Sequence, residues 1–461
     1  MYGLNGGSSR ATVPFASSHP HRSLVRTRRM TRMPRPVLRW TTAAIALATA
    51  ALAVPPAEAQ AARESASAAR YATPLPAATE IAPHAARGAA DRKTERRHLV
   101  GAWSAATSRV PAVVGGQTIR MVVRISIGGT EARIRLSNVF GTRPVTFGRV
   151  RLGIQRAGAR IKPGTNRSVT FGGRKSVTVA PGRAVWSDPI RGRFPRGSDL
   201  VISIYVPHTV RDVTGHERAY ATTYLSRPGD HTRAESATAF TYTSVQWYFL
   251  DRVAVTAPAT TRAVVAFGDS LTDGTGQEID ANRRWTDYLS HRLARVSARR
   301  RLSVLNAGIA GNRLLEPNVG PSGLSRFRRD ALLQPGVRTV VVFIGINDIS
   351  RGSVTSAQQL IDGYQRLIKA ARAKRVRVLG ATLTPFGGYA TWTPEREEIR
   401  QQVNEWIRTS RAFDGVVDFD RAVRDPDAPD RLHPAYDAGD HLHMSDAGRK
   451  RLAYALNLRL L

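Results

Sequence analysis

Four short polar clusters contain the residue types that an acyl-transfer reaction requires. They lie at 268–271 (GDSL), 306–312 (NAGIAGN), 345–348 (GIND) and 440–443 (DHLH). Between them they supply a hydroxyl, an imidazole, a carboxylate, and N–H donors for an oxyanion. A serine nucleophile needs a base within hydrogen-bonding reach, and that base needs a partner that orients it. If one fold brings the clusters together, they predict a serine hydrolase.

Each cluster also has a structural interpretation that needs no catalysis. Ser270 would then cap the segment that follows it, the glycines of 306–312 would permit a tight turn, and 347–348 would form an Asx turn. His441 and His443 would be surface histidines, or metal ligands beside nearby aspartates, although the sequence marks no third ligand. The catalytic interpretation is favoured because the four clusters occur together and in order.

Strand-like apolar runs alternate with helical patterns from Thr261 onward. Such alternation predicts a mostly parallel sheet with helices on both faces, and sites in such sheets form beyond the carboxyl ends of the strands. Three clusters follow predicted strands and the fourth precedes a predicted terminal helix, so we expect all four at one edge of the sheet. The predicted strands are 264–267, 302–305, 339–344, 376–381 and 416–419, and the predicted helices are 285–296, 357–373, 394–409 and the segment after Asp446.

Residues 262–461 resemble the SGNH hydrolases, also called GDSL-type esterases and lipases. The resemblance rests on the four clusters, the last of them in the pattern D-x-x-H, and covers a little under half of the chain. It implies a flavodoxin-like three-layer α/β/α sandwich with a parallel sheet, and esterase chemistry without a cofactor or a metal. Met444 stands where the family often has proline, which bears on the rigidity of the loop and not on the chemistry.

The resemblance also implies a role for each site residue. Ser270 is the nucleophile, His443 the general base, and Asp440 the partner that orients the imidazole. The amides of Ser270 and Gly311 and the side chain of Asn347 form the oxyanion hole. These roles correspond to a Ser-His-Asp triad that reacts through an acyl-enzyme.

Other polar residues near the clusters leave alternatives open. Asp437 and His441 form a competing Asp–His pair that spacing alone does not exclude, and the family pattern selects the other pair. Asp269 and Asp348 are interpreted as structural, each hydrogen-bonding its own loop. The side chains at 312–313 are candidates for shaping the substrate pocket.

The residues upstream of the hydrolase-like part have a different pattern of apolar and polar residues. Short alternating apolar runs separated by Gly, Pro, Asn and Asp turns predict an all-β sandwich over 96–256. This segment looks like the accessory β-domains beside some secreted bacterial members of the family. The hydrolase domain is expected at 261–461.

The N-terminal segment has the pattern of an export signal. Arginines precede an apolar run at 43–54, and an A-x-A pattern suits cleavage after Ala59, so 1–59 is interpreted as a signal peptide or basic leader. The run is too short to span a bilayer comfortably, so no membrane anchor is expected after cleavage. Residues 60–95 are expected to be a disordered linker. The protein is therefore predicted to be secreted, with the Sec and twin-arginine routes both open.

The amino-acid composition limits the kinds of binding partner and site chemistry that can be expected. The formal net charge is +34, but the basic residues are almost all arginines spread along the whole chain, so no specific nucleic-acid site is predicted. The chain has no cysteine, which excludes disulfides and a thiolate nucleophile. The expected partner is an ester substrate, such as an O-acetylated polysaccharide or, alternatively, a lipid with longer acyl chains. A non-catalytic glycan-binding protein is the alternative from a different class.

Overall fold

The computed structural model describes residues 97–296 and 302–461. The leader predicted at 1–59 and the linker predicted at 60–95 lie outside these residues. Within the described part of the chain, no helix is both long and apolar enough to span a membrane.

Alternating apolar and polar residues form antiparallel strands from Arg97 to Pro258. In the strand Gly129–Asn138, Ala132, Ile134 and Leu136 are fully buried, while the arginines between them are partly exposed. The strands are β1 (Arg97–Ser104), β2 (Ser108–Val114), β3 (Gln117–Arg124), β4 (Gly129–Asn138), β5 (Val145–Phe147), β6 (Arg149–Ala157), β7 (Arg160–Ile161), β8 (Arg167–Val169), β9 (Val177–Val179), β10 (Arg183–Trp186), β11 (Ile190–Phe194), β12 (Asp199–Val206), β13 (Val210–His216), β14 (Thr223–Pro228), β15 (Phe240–Ser244), β16 (Trp247–Tyr248) and β17 (Leu250–Pro258).

Two antiparallel sheets enclose the core of this β-domain. A five-stranded sheet has the order β1-β17-β4-β10 with β11 also on β4, and a seven-stranded sheet has the order β15-β14-β3-β12-β6-β7 with β8 also on β6. Buried side chains from both sheets meet in one cluster, among them Ile134 of β4, Met121 of β3 and Ile202 of β12. Strands β16, β13 and β2 form a further small sheet, and β5 pairs with β9. The prediction of an all-β domain is confirmed, while its boundaries at 96 and 256 stay predictions.

The remainder of the chain forms an α/β unit around a five-stranded parallel sheet. The strands are β18 (Arg262–Gly268), β19 (Leu302–Gly308), β20 (Val337–Phe343), β21 (Arg377–Ala381) and β22 (Gly415–Val417), and the α-helices are α1 (Ser270–Asp273), α2 (Trp285–Ala294), α3 (Gly323–Phe327), α4 (Ile346–Ser350), α5 (Ala357–Arg372), α6 (Pro394–Thr409), α7 (Phe419–Val423) and α8 (Asp446–Ala455), with a π-helical turn at Arg328–Leu332 and a 3₁₀ turn at Leu458–Leu460.

Local sequence explains why the longer helices begin where they do. Thr393 caps α6 by accepting a hydrogen bond from the amide of Arg396, and Pro394 occupies the first helical position. Ser356 and Gln359 form a capping box at the start of α5. The predicted α/β architecture is confirmed, and so is the prediction of a helix over 394–409.

The strand order explains where a site can form. The order β19-β18-β20-β21-β22 corresponds to 2-1-3-4-5 in chain order, the flavodoxin-like arrangement. In this arrangement the chain reverses direction across the sheet between its first and third strands, here β18 and β20, and the divergence of the loops there leaves a crevice. Ser270 follows β18 and Asn347 follows β20, so both lie at this crevice.

The β-domain covers the edge strand β19. The hydroxyl of Ser104 donates to the carbonyl of Asn306 (2.9 Å), and the hydroxyl of Ser126 accepts from the amide of Val304 (3.0 Å). Two backbone groups of the edge strand are thus satisfied by serine side chains in place of a sixth strand.

Candidate active site

The segment around Ser270 is a tight turn from strand to helix. A Cβ at Gly268 would lie 2.2 Å from Oγ1 of Thr272 and 2.5 Å from the carbonyl oxygen of Phe343, so only glycine fits at the end of β18. Asp269 then caps α1, because its Oδ1 accepts from the amide of Leu271 (3.0 Å). Ser270 therefore occupies the first position of a helix, where a backbone amide has no acceptor within the helix.

Ser270, His443 and Asp440 form one chain of hydrogen bonds. Ser270 Oγ lies 2.9 Å from His443 Nε2, and His443 Nδ1 lies 2.5 Å from Asp440 Oδ2. Because a carboxylate can only accept, Nδ1 carries the proton, which leaves Nε2 free to accept from the serine hydroxyl. This is the tautomer that a general base requires.

Asp440 is held in its ionised form by its neighbours. Its Oδ1 accepts from the backbone amides of His443 (2.8 Å) and Leu442 (3.1 Å), while Oδ2 faces the imidazole. Partial burial raises the pKa of the Asp440 carboxyl, but the hydrogen bonds and charge of His443 outweigh it and hold that pKa below its usual value. The carboxyl is consequently a carboxylate at neutral pH.

The competing pair forms as well, but at a separate place. His441 Nδ1 lies 2.7 Å from Asp437 Oδ2, and the His441 side chain is 50% exposed. The hydrogen bond to Ser270 is made by His443 and not by His441. Of the two pairs that spacing left open, the structure brings the 440/443 pair to the serine.

The remaining two predicted residues follow the strands that flank β18. Gly311, in the loop after β19, has φ of +74°, a conformation that favours glycine. Asn347 lies in the first turn of α4 and is 4% exposed, and its Nδ2 donates to the carbonyl of Asn312 (3.2 Å). Gly345 before it has φ of +134° and no room for a Cβ, which would lie 2.6 Å from the Tyr364 hydroxyl.

A buried arginine that no sequence motif predicts holds these loops together. Arg326 donates to the carbonyls of Gly268 (2.7 Å) and Ala307 (2.8 Å) and to Oδ1 of Asn312 (2.8 Å). It thereby ties the ends of β18 and β19 to the loop that contains Gly311. Asn312 is itself fully buried, so it supports the loop and does not line an open pocket. The only signal in the sequence is an Arg-x-x-x-Asp spacing to Asp330, which is common on helix surfaces.

The two aspartates interpreted as structural are both buried. Asp269 bonds within its own turn, whereas Asp348 reaches across to accept from the amides of Leu314 (2.7 Å) and Leu315 (3.0 Å) in a neighbouring loop. Burial, which disfavours the charged form, raises the pKa of Asp269 to about 7 and that of Asp348 to about 6.

We expect Asp269→Asn to remove a pH dependence of stability. The pKa of the Asp269 carboxyl is about 3.9 in the unfolded chain and higher in the folded protein, so the folded protein binds the carboxyl proton more tightly. The free energy of unfolding therefore falls as the pH rises from the unfolded pKa to the folded one. Asparagine keeps the cap but has no proton to lose. The free energy of unfolding in urea should therefore exceed that of wild type by roughly 2–4 kcal/mol at pH 8 and match it at pH 4. Asp362→Asn, on the exposed face of α5, is the control, and a difference independent of pH would contradict this interpretation.

A cavity of about 420 Å³ lies between the β-domain and the α/β unit. Its lining includes Trp103, Trp247, Asp273 and Arg284, and Ser270 is not part of it. Among the described residues, no group of three or more His, Asp or Glu side chains is arranged to hold a metal ion.

Residues 266–451 match the model of the GDSL-like Lipase/Acylhydrolase family. Solved structures that resemble the chain include a lipase/acylhydrolase from Enterococcus faecalis (20% identity, 42% of this chain and 92% of that one, TM-score 0.34). An aryl esterase from M. smegmatis and a carbohydrate acetylesterase from Sinorhizobium meliloti each show 16% identity over 42% of this chain and 95% of theirs, with TM-scores of 0.34. No curated protein matches the chain.

Proposed function

We propose, from the premise that residues 266–451 form a GDSL-like lipase/acylhydrolase domain, that the protein is a serine esterase that hydrolyses carboxylic esters through Ser270. The observation that carries the proposal is the hydrogen-bonded chain from Ser270 Oγ through His443 to Asp440. Its direction and tautomer are those that activate a hydroxyl as a nucleophile.

In the acylation step, Ser270 Oγ attacks the ester carbonyl carbon while its proton moves to His443 Nε2. The amides of Ser270 and Gly311 and the side-chain N–H of Asn347 would stabilise the resulting oxyanion, and Asp440 stabilises the imidazolium. The carbon–oxygen bond to the alcohol then breaks, and the imidazolium proton moves to the departing alcohol oxygen. The products of this step are the free alcohol and an acyl-Ser270.

Deacylation repeats the sequence with water as the nucleophile. His443 Nε2 takes a proton from water as its oxygen attacks the acyl carbon, and the second tetrahedral intermediate uses the same oxyanion donors. When the bond to Ser270 Oγ breaks, the imidazolium returns its proton to that oxygen. The carboxylic acid leaves, and the enzyme regains its starting state.

We further propose a short acyl group, such as acetyl, on a polar alcohol, such as a sugar. Val319 is the exposed apolar side chain beside Gly311, since a Cβ there would lie 3.0 Å from Val319 Cγ2. None of the other large apolar side chains that are exposed on the described surface lies within 4 Å of a Cβ at Gly311; they are Val113, Tyr242, Val245, Ile279, Leu333 and Tyr454. A long acyl chain or a lipid surface would need a continuous apolar patch at the site. The side chain of Asp440 is 47% exposed, which supports a solvated, polar entrance.

The test combines a substrate series with covalent labelling. We expect purified protein to hydrolyse p-nitrophenyl acetate faster than the butyrate, and the octanoate slowest, by about 10-fold or more per step in kcat/KM. A fluorophosphonate should label one peptide, which mass spectrometry identifies as the one that contains Ser270. A preference for octanoate would contradict the short acyl group but keep the esterase. Label at another residue, or activity with no label, would contradict the nucleophile.

We also propose that the protein is exported, because an apolar run at 43–54 precedes a predicted cleavage site after Ala59. N-terminal sequencing of the protein from culture medium tests it, with Gln60 expected as the first residue.

A further inference from the structure

A buried ion pair joins the β-domain to the nucleophile helix. His216, the last residue of β13, places Nε2 2.9 Å from Oδ1 of Asp273, the last residue of α1. Their side chains are 5% and 4% exposed. The established features of a Ser-His-Asp site give this pair no role, although Asp273 shares a one-turn helix with Ser270.

The hydrogen bonds define how protons are arranged in this pair. The carbonyl oxygen of Ala106 can only accept, so His216 Nδ1, 2.7 Å away, carries a proton. Asp273 Oδ2 accepts from the backbone amide of Ala310 (3.1 Å), and Oδ1 shares a proton with His216 Nε2. Burial and the nearby Arg284 lower the pKa of His216, but the charge and hydrogen bond of Asp273 outweigh them and raise it, which supports an imidazolium–carboxylate pair.

Asp273 also holds the loop on which one oxyanion donor lies. Ala310, whose amide it accepts, immediately precedes Gly311. Gly308 packs so closely on the backbone of Asp273 that a Cβ there would lie 2.3 Å from the Asp273 nitrogen. One carboxylate thus links the helix of the nucleophile to the segment 308–311, with one oxygen for the loop and the other for His216.

The β-domain fixes the other end of this link. The His216 ring lies 5.5 Å from the ring of Trp247 of the same domain, and its Nδ1 is anchored on a backbone carbonyl. Arg284 adds a second connection, because it donates to the carbonyls of Asp273 (2.8 Å) and Ala219 (2.5 Å). The Asp273 carboxylate is thus held at both oxygens, by His216 and by the amide of Ala310, while Arg284 holds the backbone carbonyl of the same residue. These contacts restrict rotation of the side chain, so Oδ2 stays aimed at Ala310.

We infer that His216 is a positioning residue for the esterase: acting through Asp273, it holds the 310–311 segment so that the Gly311 amide points at the oxyanion. The inference rests on the proposed function and extends it, since it makes the β-domain part of the machinery that accelerates the reaction. An oxyanion donor displaced by about 1 Å loses much of its effect, and such displacements cost up to about 100-fold in rate.

The test measures kcat, KM and the Ki of phenylboronic acid for His216→Phe and Asp273→Asn. We expect kcat on p-nitrophenyl acetate to fall about 10- to 100-fold with KM within about threefold, because the donor acts on the oxyanion and not on the ground state. The boronic acid forms a tetrahedral adduct on Ser270, so its affinity should fall in parallel with kcat/KM. The double variant should lose no more than the worse single variant, since both residues act through one link.

Asp280→Asn is the matched control. Asp280 also joins the two domains through its carboxylate, which accepts from the amide (2.6 Å) and hydroxyl (2.5 Å) of Thr222, but it has no bond to the 308–311 loop. Its kinetics should stay within about twofold of wild type. All rates are divided by the concentration of sites that fluorophosphonate titrates, so partial unfolding is not counted as slow catalysis. His216→Gln replaces His216→Phe if the latter does not fold.

Each outcome decides between the proposals. Full kcat in both variants, additive losses, or an equal loss in Asp280→Asn would overturn the positioning role while leaving the esterase intact. A wild-type protein that neither hydrolyses esters nor reacts at Ser270 would overturn the proposed function and this inference with it.

Discussion

Ser270→Ala is expected to lower kcat for p-nitrophenyl acetate by about 10⁴- to 10⁶-fold relative to wild type. Without the hydroxyl no acyl-enzyme forms, and the residual rate depends on water that His443 activates near the oxyanion donors. Ser270 is 5% exposed and its Oγ makes one hydrogen bond, to His443, so the loss of one oxygen should leave the fold intact.

Ser168→Ala is the control for this substitution. Ser168 is an exposed residue of β8 in the other domain, and its replacement should leave kcat unchanged. Circular dichroism of both variants checks the fold. If Ser270→Ala retained kcat within tenfold of wild type, Ser270 would only shape the turn, and the proposed mechanism would be wrong.

The second large effect is expected for Asp440→Asn, which should lower kcat by roughly 10³- to 10⁴-fold. The two backbone amides of Leu442 and His443 need an acceptor, so the amide oxygen of the new side chain would stay at the Oδ1 position. Its NH₂ group would then face His443 Nδ1, which would have to accept. The ring proton moves to Nε2, and the imidazole can no longer take the proton of Ser270.

The chain contains a matched control for this tautomer argument. Asp437 also accepts two backbone amides at Oδ1, from Gly439 and His441, and faces Nδ1 of His441 with Oδ2. Asp437→Asn should therefore flip the tautomer of His441 in the same way, without touching Ser270, and kcat should change less than about threefold. A larger loss in Asp437→Asn than in Asp440→Asn would mean that the base is assigned to the wrong histidine.

These two Asp–His pairs show which features of the site can be predicted from the sequence and which cannot. Both Asp–His pairs form from residues three or four apart, so local spacing predicts that each can exist and says nothing about which one is used. The deciding contact joins His443 to Ser270 across 173 residues. The positions of the clusters at strand ends were predictable because strand periodicity and the chirality of parallel sheets are regular.

Arg326 and His216 could not be found in this way. Arg326 bonds to Gly268, 58 residues away, and His216 bonds to Asp273, 57 residues away in another domain. Neither residue stands out by period or motif, and arginine is abundant throughout the chain. Their burial is a property of tertiary packing, which determines what a polar side chain contacts once the elements have assembled.

The contacts of Ser104 and Ser126 with the edge strand β19 have a consequence for how the chain folds. The β-domain precedes the parallel sheet in the chain, so Ser104 and Ser126 become available for folding before β19, whether the chain emerges from a ribosome or from an export channel. The completed domain can then receive that strand as it forms, which shields an edge that would otherwise recruit the same edge of another nascent copy. We therefore expect a chain that begins near Thr261 to aggregate when it is produced alone, because the edge of β19 would then have no cover.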